Sequence, residues 1–112
     1  MKRGDTLVTG LPLYKHYGIF LGNDMVAEIG GNNKRNLQPQ IVSYGAFTHY
    51  GKREAYIVSG HLPCMKRLLS EDVAQCAEFI VNNPSLWGHQ TIHECVQERF
   101  PDVRTKYGKH LR

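Results

Sequence analysis

A histidine and a cysteine in opposite halves of the chain, His16 and Cys95, are the residues best suited to catalysis. A thiol nucleophile needs a base that removes its proton and a third group that orients the base. Cys95 lies near the start of a predicted helix, where the helix dipole and unpaired N–H groups favour the thiolate. Cys76 falls within a predicted helix and Cys64 in a connection next to a proline. Position therefore ranks Cys95 first, although burial as a small apolar residue is the commoner role of a cysteine.

His16 belongs to the first arm of a predicted β-hairpin. Aromatic and β-branched residues predict a strand over residues 14–21, and the polar residues 22–24 predict a turn. The returning strand is predicted over residues 25–29. A histidine in such a strand is more often structural than catalytic, so its partners decide its role.

Glu28 is the candidate for the orienting group. If the turn has three residues, Leu21 faces Met25 and Gly18 faces Glu28, which places His16 and Glu28 on one face of the hairpin as a diagonal pair. A two-residue turn is expected to place them on opposite faces. The alternative role for Glu28 is that of a solvated strand carboxylate.

Three neighbours of His16 are predicted to bind substrate, namely Tyr14, Tyr17 and Gly18. A glycine inside a strand often marks the close approach of another group. That group is either a substrate or a packed helix, and the sequence does not distinguish the two.

The remaining pattern predicts an α+β fold in one domain over residues 1–112, with helices packed on an antiparallel sheet. Thr91 and Glu94 have the spacing of a capping box at the start of the second long helix. Further strands are predicted over residues 6–9 and 54–59, and helices over residues 70–82 and 91–100. Between them, residues 30–40 are predicted to form a loop, and residues 41–47 a strand or turn that leads to a helical turn.

Composition sets limits on the class of protein. The formal net charge is +4, from 14 basic and 10 acidic residues, without the dense basic stripe of a nucleic-acid-binding module. A small basic nucleic-acid-binding protein therefore stays only as an alternative, and no specific nucleic acid is expected as partner. His89 and His93 have the i, i+4 spacing of a helical zinc site, but the helix predicted from Thr91 leaves His89 outside it and no further ligand pair lies nearby, so neither metal nor cofactor is expected.

The same features predict a cytoplasmic protein. An odd number of cysteines in no disulfide framework favours a reducing compartment. The first residues lack the apolar run of a signal peptide, and no segment has the roughly 18–20 apolar residues of a membrane helix.

The motif around His16 resembles a known family. Gly4-Asp5, the stretch YKHYGIFLGN at residues 14–23 and Val26-Ala27-Glu28 are similar to the opening of the lecithin:retinol acyltransferase-like branch of the NlpC-type papain-like superfamily. Many members have a second histidine where this chain has Glu28. The later part matches more weakly: Glu94-Cys95-Val96-Gln97 keeps the cysteine and its place on the helix, but not the Asn before it or the Glu-His after it.

The resemblance implies a circularly permuted papain-like fold in which the histidine strand precedes the cysteine helix. It further implies a hydrolase or acyltransferase that acts on an amide, ester or thioester and forms a thioester on Cys95. His16 then acts as acid and base, Glu28 as third member of the triad, and the Cys95 N–H as part of an oxyanion hole. Peptides, lipids or other acyl compounds are the expected substrates, in a bacterial or phage setting. A catalytically inactive binding module of the same fold is the alternative.

Overall fold

The computed structural model describes residues 1–10, 15–31, 36–58 and 70–99. A five-stranded antiparallel sheet packs against helices, so the predicted α+β class is confirmed. The elements are β1 (Thr6–Thr9), β2 (His16–Gly22), β3 (Met25–Gly30), β4 (Gln38–Ser43), β5 (Ala55–Ile57), α1 (Tyr44–Phe47), α2 (Ser70–Asn82), α3 (Ile92–Arg99) and a 3-10 turn over Pro84–Leu86.

The strands lie in the order β4-β3-β2-β1-β5. The hairpin β2–β3 is therefore central, and β4 forms an edge. Pro39 lies within β4, and an edge position suits a residue that has no N–H to give to a second neighbouring strand. The C-terminal boundary of the loop predicted over residues 30–40 was therefore wrong, because β4 already begins at Gln38. The first residues of β4 are polar and form a strand because they pair with β3. Their own sequence pattern does not indicate that pairing.

The turn of the central hairpin differs from its prediction. Asn23 and Asp24 form a two-residue turn, and both have positive φ, 49° and 62°, as a type I′ turn requires. Gly22, rather than Leu21, pairs with Met25, so the predicted Leu21–Met25 pair is wrong.

A β-bulge between Phe20 and Gly22 offsets the shorter turn. The bulge adds one residue to β2, so that two residues there oppose one on β3. The predicted pairing of Gly18 with Glu28 is therefore confirmed, by a combination of turn and bulge that differs from the predicted three-residue loop.

Side chains alternate between the two faces of the sheet, and each face has its own apolar core. The first, which we call the α2–α3 face, presents Ile19, Leu21 and Ala27 to the two long helices. The second, the Phe47 face, carries Leu7 and Val26 together with Phe47 of α1. A residue of β2 or β3 thus contacts one core or the other according to its position along the strand.

Both long helices occur where they were predicted. The buried side of α2 consists of Ala74, Ala77 and Ile80, with Val73 and Cys76 at its margin. Because alanine side chains are short, α2 lies close to the sheet where Ala74 and Ala77 contact it.

The capping box of α3 is confirmed. The Glu94 N–H donates to Thr91 Oγ1 at 3.3 Å, and the Thr91 N–H donates to Glu94 Oε1 at 3.1 Å. These bonds stabilise the start of α3. The Thr91 hydroxyl also donates to Glu94 Oε1 at 2.7 Å, and this bond, followed by the bond from the Thr91 N–H, lowers the pKa of Glu94. Among the described residues no helix is both long and apolar enough to cross a membrane.

Candidate functional site

His16 and Glu28 meet on the Phe47 face, as predicted. His16 Nε2 lies 2.8 Å from Glu28 Oε1. The side chain of Glu28 is 10% exposed and that of His16 is 25% exposed, so the carboxylate is enclosed while the imidazole reaches the surface. Since Nε2 is bound to the carboxylate, Nδ1 is the nitrogen left to exchange a proton with a reacting group.

Gln40 is a third polar member of this group, and sequence reasoning missed it. It pairs directly with Glu28 across β3 and β4, and its Nε2 donates to Glu28 Oε2 at 2.7 Å. Each carboxylate oxygen of Glu28 therefore has its own partner. The signal in the sequence was weak, because residue 40 was expected in a loop, and only the β3–β4 register reveals the contact.

Phe47 is the apolar neighbour of His16, and it explains Gly18. The rings of Phe47 and His16 lie 5.3 Å apart between centroids, tilted by 33°. A Cβ atom on Gly18 would lie 2.5 Å from Val26 Cγ1 and 2.8 Å from Phe47 Cε1. Of the two groups that were expected to approach Gly18, a packed helix is the one observed: the ring of Phe47, on α1, occupies the space above this glycine.

The structure does not bring Cys95 to this pair. Cys95 is 0% exposed and packs in the core of the α2–α3 face. Its Sγ lies 3.7 Å from the carbonyl oxygen of Leu86. His16 contacts Glu28 and Phe47 on the opposite face of the sheet. The nucleophilic role of Cys95 stays a prediction.

The backbone of Cys95 also differs from its expected role. Its N–H donates to the carbonyl oxygen of Thr91 at 2.9 Å, as the fourth residue of α3 should. An oxyanion hole needs an N–H that is free to bind the developing charge. In this conformation the Cys95 N–H is instead occupied within the helix.

The other predicted substrate-binding residues are Tyr17 and Tyr14, and Tyr17 does not lie beside the imidazole of His16. Tyr17 lies on the α2–α3 face, next to His93, with 4.5 Å between ring centroids. This contact places the first turn of α3 beside the start of β2, so the helix of Cys95 does lie close to the strand of His16. Tyr14 lies outside the described residues, and so does Cys64.

His93 predicts a pH dependence of stability. Burial lowers the pKa of its imidazole, and the neighbouring Glu94 raises it by a smaller amount. The unfolded chain therefore binds more protons than the folded chain as the pH falls below about 6.5, the ordinary pKa of histidine. We expect the free energy of unfolding to decrease between about pH 7.5 and about pH 5.5 in urea titrations.

The variant His93→Gln should make this decrease smaller. His49→Asn is the matched control, since His49 is exposed and Asn tolerates its positive φ of 52°. The control should keep the wild-type dependence. Equal slopes in wild type and His93→Gln would contradict the assignment to His93.

The chain matches no protein-family model and no curated protein sequence. In the described residues no group of three or more His, Cys, Asp or Glu side chains is arranged to hold a metal ion.

Proposed function

We propose that the chain is a thiol-dependent hydrolase or acyltransferase with a permuted papain-like fold, in which His16 and Glu28 form the acid–base site. The observation that carries the proposal is the 2.8 Å contact between His16 Nε2 and Glu28 Oε1, at a place where the carboxylate is enclosed and the imidazole reaches solvent. A buried carboxylate that orients a partly exposed histidine is the arrangement that general acid–base catalysis uses.

The order of elements supports the same proposal. The strand of His16 precedes the helix of Cys95, and α3 packs on the sheet beside the start of β2. The chain also has the Gly4-Asp5 pair of the resemblance. Gly4 has a φ of 95°, and the buried Asp5 accepts a hydrogen bond from the Lys2 N–H at 2.8 Å, so that this pair shapes the entry into β1.

The reaction proposed has two steps. His16 Nδ1 takes the thiol proton, the thiolate attacks the acyl carbonyl, and the same proton passes to the leaving amine, alcohol or thiol. Water or an acceptor then gives a proton to His16 and attacks the thioester carbonyl. The C–S bond breaks, the acyl product leaves, and His16 returns the proton to the cysteine thiolate. Glu28 holds the imidazole in position and stabilises its positive charge.

Cys95 can be the nucleophile only if its thiol reaches the Phe47 face. In the conformation described, the thiol is enclosed on the other face. The proposal therefore requires α3 to shift past the end of β2, where His16 begins the strand, so that the thiol passes from one face of the sheet to the other. That requirement makes the reactivity of the thiol a direct test.

The test is alkylation by limiting iodoacetamide at about pH 6, where an unperturbed thiol is almost wholly protonated. Peptide mass spectrometry locates the label in wild type and in His16→Ala. Cys76 is an internal control, because its burial, and to a smaller extent Asp72, raise its pKa. We expect rapid labelling of Cys95 in wild type and its loss in His16→Ala.

Two other results have clear meanings. Rapid labelling of Cys64 that is lost in His16→Ala would support a thiol-dependent enzyme and would identify Cys64, instead of Cys95, as the nucleophile. Slow labelling of all three cysteines, unchanged in His16→Ala, would overturn the proposal.

The burial of Cys95 favours a second candidate, a non-catalytic binding module of the same fold. A thiol that is fully enclosed among apolar side chains, with its N–H bonded inside a helix, has the properties of a core residue. The labelling experiment distinguishes the two candidates, because a binding module predicts slow and His16-independent labelling of Cys95.

A further inference from the structure

We infer that Gln40 and Gly30 are positioning residues of the His16 site, which hold Glu28 so that the proton-accepting nitrogen of His16 is Nδ1. The inference rests on the proposed function for its chemical meaning. Its geometry stands independently, on the contacts among β2, β3 and β4.

Glu28 needs two partners to be held in one orientation. A carboxylate that is bound through one oxygen can still rotate about its terminal bond, because that torsion is broad and roughly two-fold. Here Oε1 contacts His16 at 2.8 Å and Oε2 accepts from Gln40 at 2.7 Å. The two contacts together fix both the plane of the carboxylate and the oxygen that faces the imidazole.

The tautomer of His16 follows from this arrangement. An ionised carboxylate can only accept hydrogen bonds, so the ring nitrogen that faces it must carry the proton. A neutral His16 therefore has its proton on Nε2, and Nδ1 keeps the lone pair that can accept a proton from a nucleophile. A loosely held carboxylate would select this tautomer less strongly.

Gly30 provides the space in which the bond between Glu28 and Gln40 lies. It is two residues after Glu28 on β3, and so is on the same face of the sheet. A Cβ atom at this position would lie 2.6 Å from Gln40 Nε2, and closer still to Glu28 Oε2. Both atoms are fixed by hydrogen bonds, so a side chain at position 30 must displace the carboxylate or the amide.

Gln38 offers a matched comparison on the same strand. It lies two residues before Gln40, on the same side of β4, and pairs with Gly30 instead of Glu28. It is exposed, whereas Gln40 is half-buried. Replacing either glutamine by methionine keeps the length of the side chain and removes its hydrogen-bonding groups, so only their contacts differ.

The experiment measures the tautomer of His16 by ¹⁵N NMR of the imidazole in the full chain, at a pH where histidine is neutral. We expect the Nε2–H tautomer in wild type, and a mixture in Glu28→Met, where the acceptor is gone. In Gln40→Met the ratio of Nε2–H to Nδ1–H should fall by about two- to tenfold, the range that one hydrogen bond supplies. Gly30→Ala should change the ratio in the same direction, and Gln38→Met should leave it as in wild type.

A wild-type ratio in both Gln40→Met and Gly30→Ala, alongside a changed ratio in Glu28→Met, would overturn the inference. The amide spectrum of each variant reports whether the sheet is intact, and the two variants act through different strands. This outcome is separate from failure of the proposed function, because the tautomer is observed without substrate and without a reactive thiol. Slow labelling of every cysteine together with the expected tautomer ratios would contradict the proposed enzymatic function but would support the positioning roles of Gln40 and Gly30.

Discussion

The variant Phe47→Ala should lose about 3–5 kcal/mol of unfolding free energy, the range measured for removing a buried aromatic ring. Phe47 is 1% exposed and belongs to the core of the Phe47 face with Leu7 and Val26. Gly18 has no side chain to fill the cavity, so the sheet can close it only by moving its backbone. Chemical denaturation of wild type and variant measures the loss.

Phe79→Ala is the matched control for this prediction. Phe79 is the same residue type on α2, but it is 51% exposed. Truncation there removes less buried surface and leaves no enclosed cavity, so we expect a clearly smaller loss. Equal losses in the two variants would contradict the assignment of Phe47 to a packed core.

The variant Gly18→Ala should also be destabilised, by about 1–3 kcal/mol, because an added methyl group overfills this face. The new Cβ would lie 2.5 Å from Val26 Cγ1 and 2.8 Å from Phe47 Cε1, closer than side-chain atoms normally approach. The conformational preference of alanine over glycine in a strand, about 0.5–1 kcal/mol, acts in the opposite direction and is the smaller effect. Thermal or urea unfolding gives the sign directly.

Two further variants identify the cause. Phe47→Leu in the Gly18→Ala background should recover part of the loss, so that the double variant is more stable than the sum of the single changes predicts. Gly45→Ala is the glycine control. Its Cβ would lie no closer than 3.5 Å to Tyr50, within the helix α1. That control should be neutral or stabilising, and a stabilising Gly18→Ala would show that Phe47 does not restrict position 18.

If the proposed function holds, these two variants also bear on the site. Phe47 contacts the imidazole of His16, and Gly18 pairs with Glu28. Loss of the ring leaves His16 without its apolar neighbour, whereas crowding at Gly18 moves the strand that carries it. Both should therefore alter the His16 tautomer ratio in addition to stability.

Much of the local structure could be predicted from residue type and spacing. Aromatic and β-branched residues on either side of the polar residues 22–24 identified the central hairpin, and the Thr91–Glu94 spacing identified the start of α3. The face shared by His16 and Glu28 was also correct, although the three-residue turn from which it was predicted was wrong and the bulge in β2 compensates for the shorter turn.

The three-dimensional arrangement decided the rest. The bulge at Phe20–Gly22 restores a register that the two-residue turn alone would have shifted. A bulge exists only in the pairing of two strands, so the residues of one strand do not reveal it. Gln40 lies next to Glu28 because β4 pairs with β3 in a particular register. The residues that connect the two strands do not indicate that register.

The position of Cys95 is the clearest case. The sequence places it correctly in the first turns of a helix, but a helix can present that turn to either face of a sheet. The alanine side of α2, the capping box and the contact between Tyr17 and His93 together set how α3 lies on β2. The sequence alone thus determined which residue types are candidates for catalysis and which strand or helix holds them. Only the tertiary packing decided which of them meet, because the face toward which a helix turns depends on contacts distant in the chain.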